Sequence, residues 1–168
     1  MPWTTPETFT AGQTLTAASM NAISENTRTL GLYANRIGYV ERTSSYSVSA
    51  TSAATAADVF SSSITWTANG TAAYLVEFFC PRSDTGSGGF ITFSVVNASG
   101  TELSRLCFVG GGSGVSYDSP LGRWYYTPSA GSTTINVRAW YGVAAGTLYG
   151  STGGSNQPPI YLALYGAA

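Results

Sequence analysis

The chain contains no histidine and no lysine, and charged residues make up only 9% of its 168 positions. Without histidine it lacks the commonest general base, the commonest metal ligand and every Ser-His or Cys-His nucleophile pairing. Zinc would have to be held by two widely spaced cysteines and carboxylates, and no Asp-rich calcium loop is present, so no metal, cofactor or catalytic residue is expected. No apolar run approaches the length of a membrane-spanning helix, and the N-terminus lacks the basic and then apolar regions of a secretory signal. The seven arginines are scattered singly and the formal net charge is −1, which argues against a phosphate-tracking surface for nucleic acid. Cys80 and Cys107 fall in apolar, strand-like runs and read as buried thiols, although spacing leaves a disulfide between them open.

What is present is material for a core. Hydrophobic residues reach 43% and aromatics 13%, far from the composition of a disordered chain. Few charges also mean little self-repulsion, which favours packing against copies of itself or other subunits.

Residues 1–13 carry Pro2, Trp3, Pro6 and Phe9 and read as an extended arm. Trp3 and Phe9 either fold back on their own chain or plug a neighbour, as aromatics at interface centres do. The segment 16–31 reads as a helix. Thr16 suits the N-cap, Leu15 can staple against Met20, and Gly31 suits the end. Met20, Ile23, Thr27 and Leu30 make one narrow apolar face. A lone amphipathic helix of this length needs a surface to dock on.

From about residue 37 the pattern is strands and turns. Strands are expected over 46–50, 59–66, 73–80, 90–96, 103–109, 115–117, 123–126, 133–141 and 160–165, with Asn69-Gly70 as a turn signal of the kind hairpins use and Asn97-Ala98-Ser99-Gly100 as a turn. The run 73–80 is apolar enough for a strand buried on both faces. In the last strand Ile160, Leu162 and Leu164 share one face and Tyr161 and Tyr165 the other, so a central position is expected. Such a set of short strands, with helix only at the N-terminus, predicts a mainly β chain: an antiparallel β-sandwich, jelly-roll-like, over 37–168, preceded by the arm and helix in 1–36.

Two features merit chemical scrutiny. Glu77, in an apolar strand, is the first suspect for a glycosidase-type carboxylate, against the plainer reading that it faces a sheet surface or pairs with an arginine. Trp66, Trp124, Tyr125, Tyr126, Trp140 and Tyr141 could form a sugar-binding surface, but such residues also fill β cores and interfaces. Trp124, Tyr125, Tyr126 and Trp140 are kept as glycan or interface candidates. The loop 110–114 lacks the Lys-Ser/Thr end of a phosphate loop.

The opening Trp3-Thr4-Thr5-Pro6 through Gly12, then Leu15-Thr16-Ala17-Ala18, Met20-Asn21, Asn26 and Leu30, resembles the start of many tailed-phage virion proteins of head-decoration, head-fibre or minor-tail type. The match covers about 30 of 168 residues. More loosely, Tyr126-Thr127-Pro128-Ser129-Ala130-Gly131, the strand after it and Pro158-Pro159 are similar to the β domains that end such proteins. The resemblance implies a jelly-roll or tumour-necrosis-factor-like domain, a homotrimer, and a place on the particle exterior after assembly in the host cytoplasm. It implies a non-enzymatic capsid decoration or short head-fibre protein, docked on the major capsid protein or other virion subunits by Trp3, Phe9, Leu15, Met20, Ile23 and Leu30. The alternative is a minor tail or tail-fibre protein that binds a host-surface glycan through loops 82–89, 110–119 and 146–157.

Overall fold

The computed structural model describes residues 36–110, 116–150 and 158–166. The arm 1–13 and the helix expected over 16–31 lie outside them. The described residues are all β, with no helix: β1 (Arg36–Arg42), β2 (Tyr46–Val48), β3 (Ile64–Ala68), β4 (Tyr74–Phe79), β5 (Arg82–Thr85), β6 (Phe90–Asn97), β7 (Glu102–Gly110), β8 (Ser116–Asp118), β9 (Leu121–Tyr126), β10 (Gly131–Tyr141), β11 (Gly146–Tyr149) and β12 (Ile160–Tyr165).

These strands form three four-stranded antiparallel ladders, ordered β1-β12-β4-β9, β2-β11-β5-β8 and β3-β10-β6-β7. The first two repeat one order, because strands next to each other in chain order (β1 and β2, β4 and β5, β8 and β9, β11 and β12) take equivalent places in them. They lie end to end as sheet I; the third is sheet II. Proline explains two of the interruptions. Pro81 separates β4 from β5 and Pro120 separates β8 from β9, and a residue without an N–H cannot carry a ladder through. The break is stitched locally: the Cys80 amide donates to Pro120 O at 3.0 Å and Ser119 Oγ donates to Pro81 O at 2.6 Å.

Period-two alternation decides what lies between the sheets. From sheet I, Tyr74, Val76, Phe78, Ile160, Leu162 and Leu164 point inward; from sheet II, Ile64, Trp66, Ile91, Phe93, Val95, Ile135 and Val137 do. Phe78 and Phe93, both fully buried, meet across the sandwich with centroids 4.9 Å apart. Trp66 packs edge-on against Tyr74 at 5.4 Å and Tyr126 at 6.4 Å. A pair of this kind contributes about 0.5–1.5 kcal/mol beyond area burial. Cys80 and Cys107 are free thiols.

Several sequence expectations need correction. Strand β3 begins at Ile64, not Val59. Val59 and Phe60 are buried without being in a strand, because their segment covers the edge of β10 beyond its last pairing with β3. There the Val59 amide donates to Val137 O at 2.8 Å, and Asn136 Nδ2 donates to Phe60 O at 3.1 Å. Asn69-Gly70 is a turn, with Gly70 at φ 84° and Asn69 Oδ1 accepting from the Thr71 and Ala72 amides, but it is no hairpin: it carries the chain from sheet II to sheet I. The hairpin is Asn97–Gly100, joining β6 to β7. Strands also open two segments expected as loops, β5 at 82–85 and β11 at 146–149. The last strand is central, as its pattern predicts. Strand β4 is fully buried only on its inner side; outward, Leu75 and Phe79 are half-buried.

Candidate interaction surface

In an antiparallel sheet with one face on the core, the other face is ordinarily polar. Sheet II follows this rule where β3 pairs with β10. Its outer side there carries Thr65, Thr67, Ser132 and Thr134, with Thr65 and Thr134 hydroxyls 2.9 Å apart. Sheet I does not. On the outer side of β9, Leu121, Arg123 and Tyr125 alternate with the inward Gly122, Trp124 and Tyr126. Register sets Leu121 beside Phe79 and Tyr161, Arg123 beside Glu77 and Ala163, and Tyr125 beside Leu75 and Tyr165. At the far edge Tyr39 of β1 packs on Tyr161 at 5.8 Å, and Phe79 lies 5.5 Å from the same ring. Exposure rises toward the margins: Tyr125 is 73% exposed, Leu121 48% and Ile37 46%.

At the centre of this face its charges cancel. Arg123 Nε donates to Glu77 Oε2 at 2.7 Å and the Tyr161 hydroxyl donates to Glu77 Oε1 at 2.9 Å. Burial, then the bond to Glu77, drives the Tyr161 phenol well above its ordinary range. The hydrogen bond and the charge of Glu77 raise Arg123 further. Tyr39 is tied in the same way, its hydroxyl donating to Glu41 Oε2 at 2.9 Å. Glu77 therefore has the plainer of its two expected roles: it lies on a sheet face paired with an arginine.

The four aromatic candidates are not brought together. Tyr125 is on the outer face of sheet I. Trp124 and Tyr126 point the other way, stacked on each other at 4.5 Å against the core. Trp140 is on the outer side of sheet II, in a shallow groove of about 490 Å³ lined also by Glu102, Arg105 and Arg138. Its ring lies under the Arg105 guanidinium at 5.3 Å, and its Nε1 donates to Ser94 Oγ at 3.3 Å. Arg105 pairs with Glu102 at 2.9 Å. Trp66 is a core residue whose indole N–H has no hydrogen-bond partner among the described residues. Trp3, Phe9, Leu15, Met20, Ile23 and Leu30 lie outside the described residues.

Sequence reasoning missed Leu75, Phe79, Leu121 and Arg123 as members of one surface. The alternation in β9 was available, but which strands flank it is a property of the fold. No three His, Cys, Asp or Glu side chains gather as a metal site among the described residues, and no helix there is long and apolar enough to cross a membrane. Neither the protein-family models nor the curated proteins give a match to this chain.

Proposed function

We propose that this chain is a structural protein of a tailed-phage virion, a capsid decoration or short head-fibre subunit. Residues 1–36 form the arm and helix that dock on the major capsid protein or another virion subunit, and 37–168 form a jelly-roll domain on the particle exterior, assembled as a homotrimer in the host cytoplasm. Two independent things support the reading. The phage assignment rests on the resemblance of residues 3–30. The jelly-roll assignment is supported by topology. Counting β1-β2, β4-β5, β8-β9 and β11-β12 as single runs gives eight strands ordered 1-8-3-6 and 2-7-4-5, the pattern of nested Greek keys.

The observation that carries a structural role is the outer face of sheet I, aromatic and neutralised from within, which suits burial against protein. The competing reading, a tail protein that binds host glycan, has Trp140 as its best-placed residue, but Arg105 covers that ring.

Deleting residues 1–31 tests the proposal. The truncated chain is expected to fold as a β domain and to be missing from purified particles, whereas retained incorporation would defeat the docking arm. Copy number separates the two locations. On the order of hundreds per particle fits decoration of a many-subunit symmetric shell, and a few per particle fits the tail.

A further inference from the structure

We propose that the outer face of sheet I, centred on Phe79 and Tyr161 and running out to Leu121 and Tyr125, is where copies of this chain pack against one another. The inference deepens the homo-oligomer part of the proposed function and rests on it, but it concerns the isolated chain and needs no particle.

Three observations select a second copy as the occupant. The first is polarity. Apart from Arg123 and Glu77 the registered positions on this face are Leu, Phe, Tyr and Ala, while the outer side of sheet II presents threonine and serine along β3 and β10 and sets Phe108 and Trp140 among Arg105 and Glu102. The second is charge. Glu77 is satisfied by Arg123 and Tyr161 of the same chain, so a partner need bring no compensating charge and leaves no buried group unpaired. A face neutral at its centre by its own bonds is compatible with itself, as contact between identical subunits requires. A nucleic acid would find only the already paired Arg123 and, at the β1 edge, the repelling carboxylate of Glu41. The third is size. Four strands of six residues span about 19 Å by 20 Å, or roughly 400 Å². That is about half of one partner's share in a standard interface, which fits a modest, concentration-dependent contact between copies and not an obligate one. Exposure on the face peaks along β9, at Tyr125 and Leu121.

Sedimentation of the full chain over a range of concentrations tests this, with Tyr125→Arg and Leu121→Lys as face variants. Phe108→Arg is the control: Phe108 is as exposed as Tyr125, at 72%, but lies on β7 of sheet II. Self-association by the wild type, weakened about 30-fold or more by each face variant at an unchanged unfolding midpoint, is the expected result, that factor being typical of a hot-spot residue. Phe108→Arg is expected to associate as the wild type does. An oligomer that survives both face variants would overturn the assignment of this face and leave the homo-oligomer standing. A wild type monomeric at every concentration would overturn both, and its binding to phosphatidylcholine vesicles would show a lipid surface to be the occupant instead.

Discussion

Arg123 and Glu77 are Cα partners on neighbouring strands, and the arginine Nε sits 2.7 Å from the carboxylate. Tyr161 binds the second oxygen from the other flank, so one carboxylate joins β9, β4 and β12 on the outer side of sheet I. Glu77 is nearly buried while Arg123 remains 61% exposed, so the carboxylate depends on the pairing more than the guanidinium does.

Glu77→Gln keeps the shape and removes the charge. It is expected to lower stability by about 1.5–3 kcal/mol, the range for a hydrogen bond to a charged group. Urea unfolding of variant and wild type at pH 7 measures it, and a loss below 0.5 kcal/mol would mean that Arg123 contributes little there. The same variant tests the chemistry. Glycan turnover by the wild type that disappears in Glu77→Gln would replace the structural reading with an enzymatic one.

Arg138 is tied to three partners in two separate segments. Its Nε donates to Asp58 Oδ1 at 2.7 Å, and its Nη1 to Ala53 O at 3.1 Å and Gly100 O at 3.3 Å. It thereby clamps the 50–60 segment and the β6–β7 turn onto β10. Arg138→Met is expected to cost about 2–3 kcal/mol, since it leaves Asp58 without its cation and two carbonyls without donors. Amide exchange should speed up most at Val59, whose N–H bonds to Val137 O. Uniform acceleration across the domain would instead point to a global loss with no local clamp.

Much of this architecture can be read in the sequence where a strand carries its own signal. Ile160, Leu162 and Leu164 declare an inner face, and Asn97–Gly100 declares a turn. Strands β1, β5 and β11 carry no such signal. In β5 the inward residues are Ser83 and Thr85, both buried but polar, so hydrophobic alternation is missing. In β11 only Leu148 marks the inside. Asn69-Gly70 has hairpin chemistry, yet the strands it joins belong to different sheets, because turn residues fix a change of direction and not the partner strand. The candidate surface was illegible for the same reason. Tyr125, Leu75 and Tyr165 are dispersed in sequence and become neighbours only through register.

Gly122 marks a close approach between edge strands of the two sheets, β9 and β7. A Cβ there would lie 2.6 Å from Leu106 Cβ and 3.3 Å from Cys107 Sγ. Gly122→Ala is therefore expected to push β9 away from β7 and destabilise the domain by about 1–3 kcal/mol, the usual cost of overpacking. A thermal melt within about 1 °C of the wild type, where 1 kcal/mol is worth several degrees, would show that the edges slide apart freely.

The two thiols give the domain an alkaline weakness of predictable sign. Burial pushes Cys80 from its ordinary 9.0 to about 11, against the smaller opposing effect of backbone hydrogen bonds with Arg82 and Tyr149. Burial moves Cys107 equally, to about 11. A folded chain that holds these protons more tightly than the unfolded chain is fully stabilised by them below pH 9. It loses that stabilisation as pH climbs from about 9 to about 11. For the fully buried Cys80 the rise to about 11 corresponds to roughly 3 kcal/mol. Tyr46 and Tyr161, both raised from 10.0, extend the loss in the same direction at higher pH. Cys80→Ala should lower stability at pH 7, through the void it leaves, yet flatten the decline between pH 9 and 10 measured by urea midpoints. Alkylation at pH 8 gives a second readout, since both native thiols should react far more slowly than in urea and Cys80 the more slowly of the two. An undiminished pH slope in Cys80→Ala, together with rapid native alkylation of Cys80, would place that thiol in solvent and contradict its position in the core.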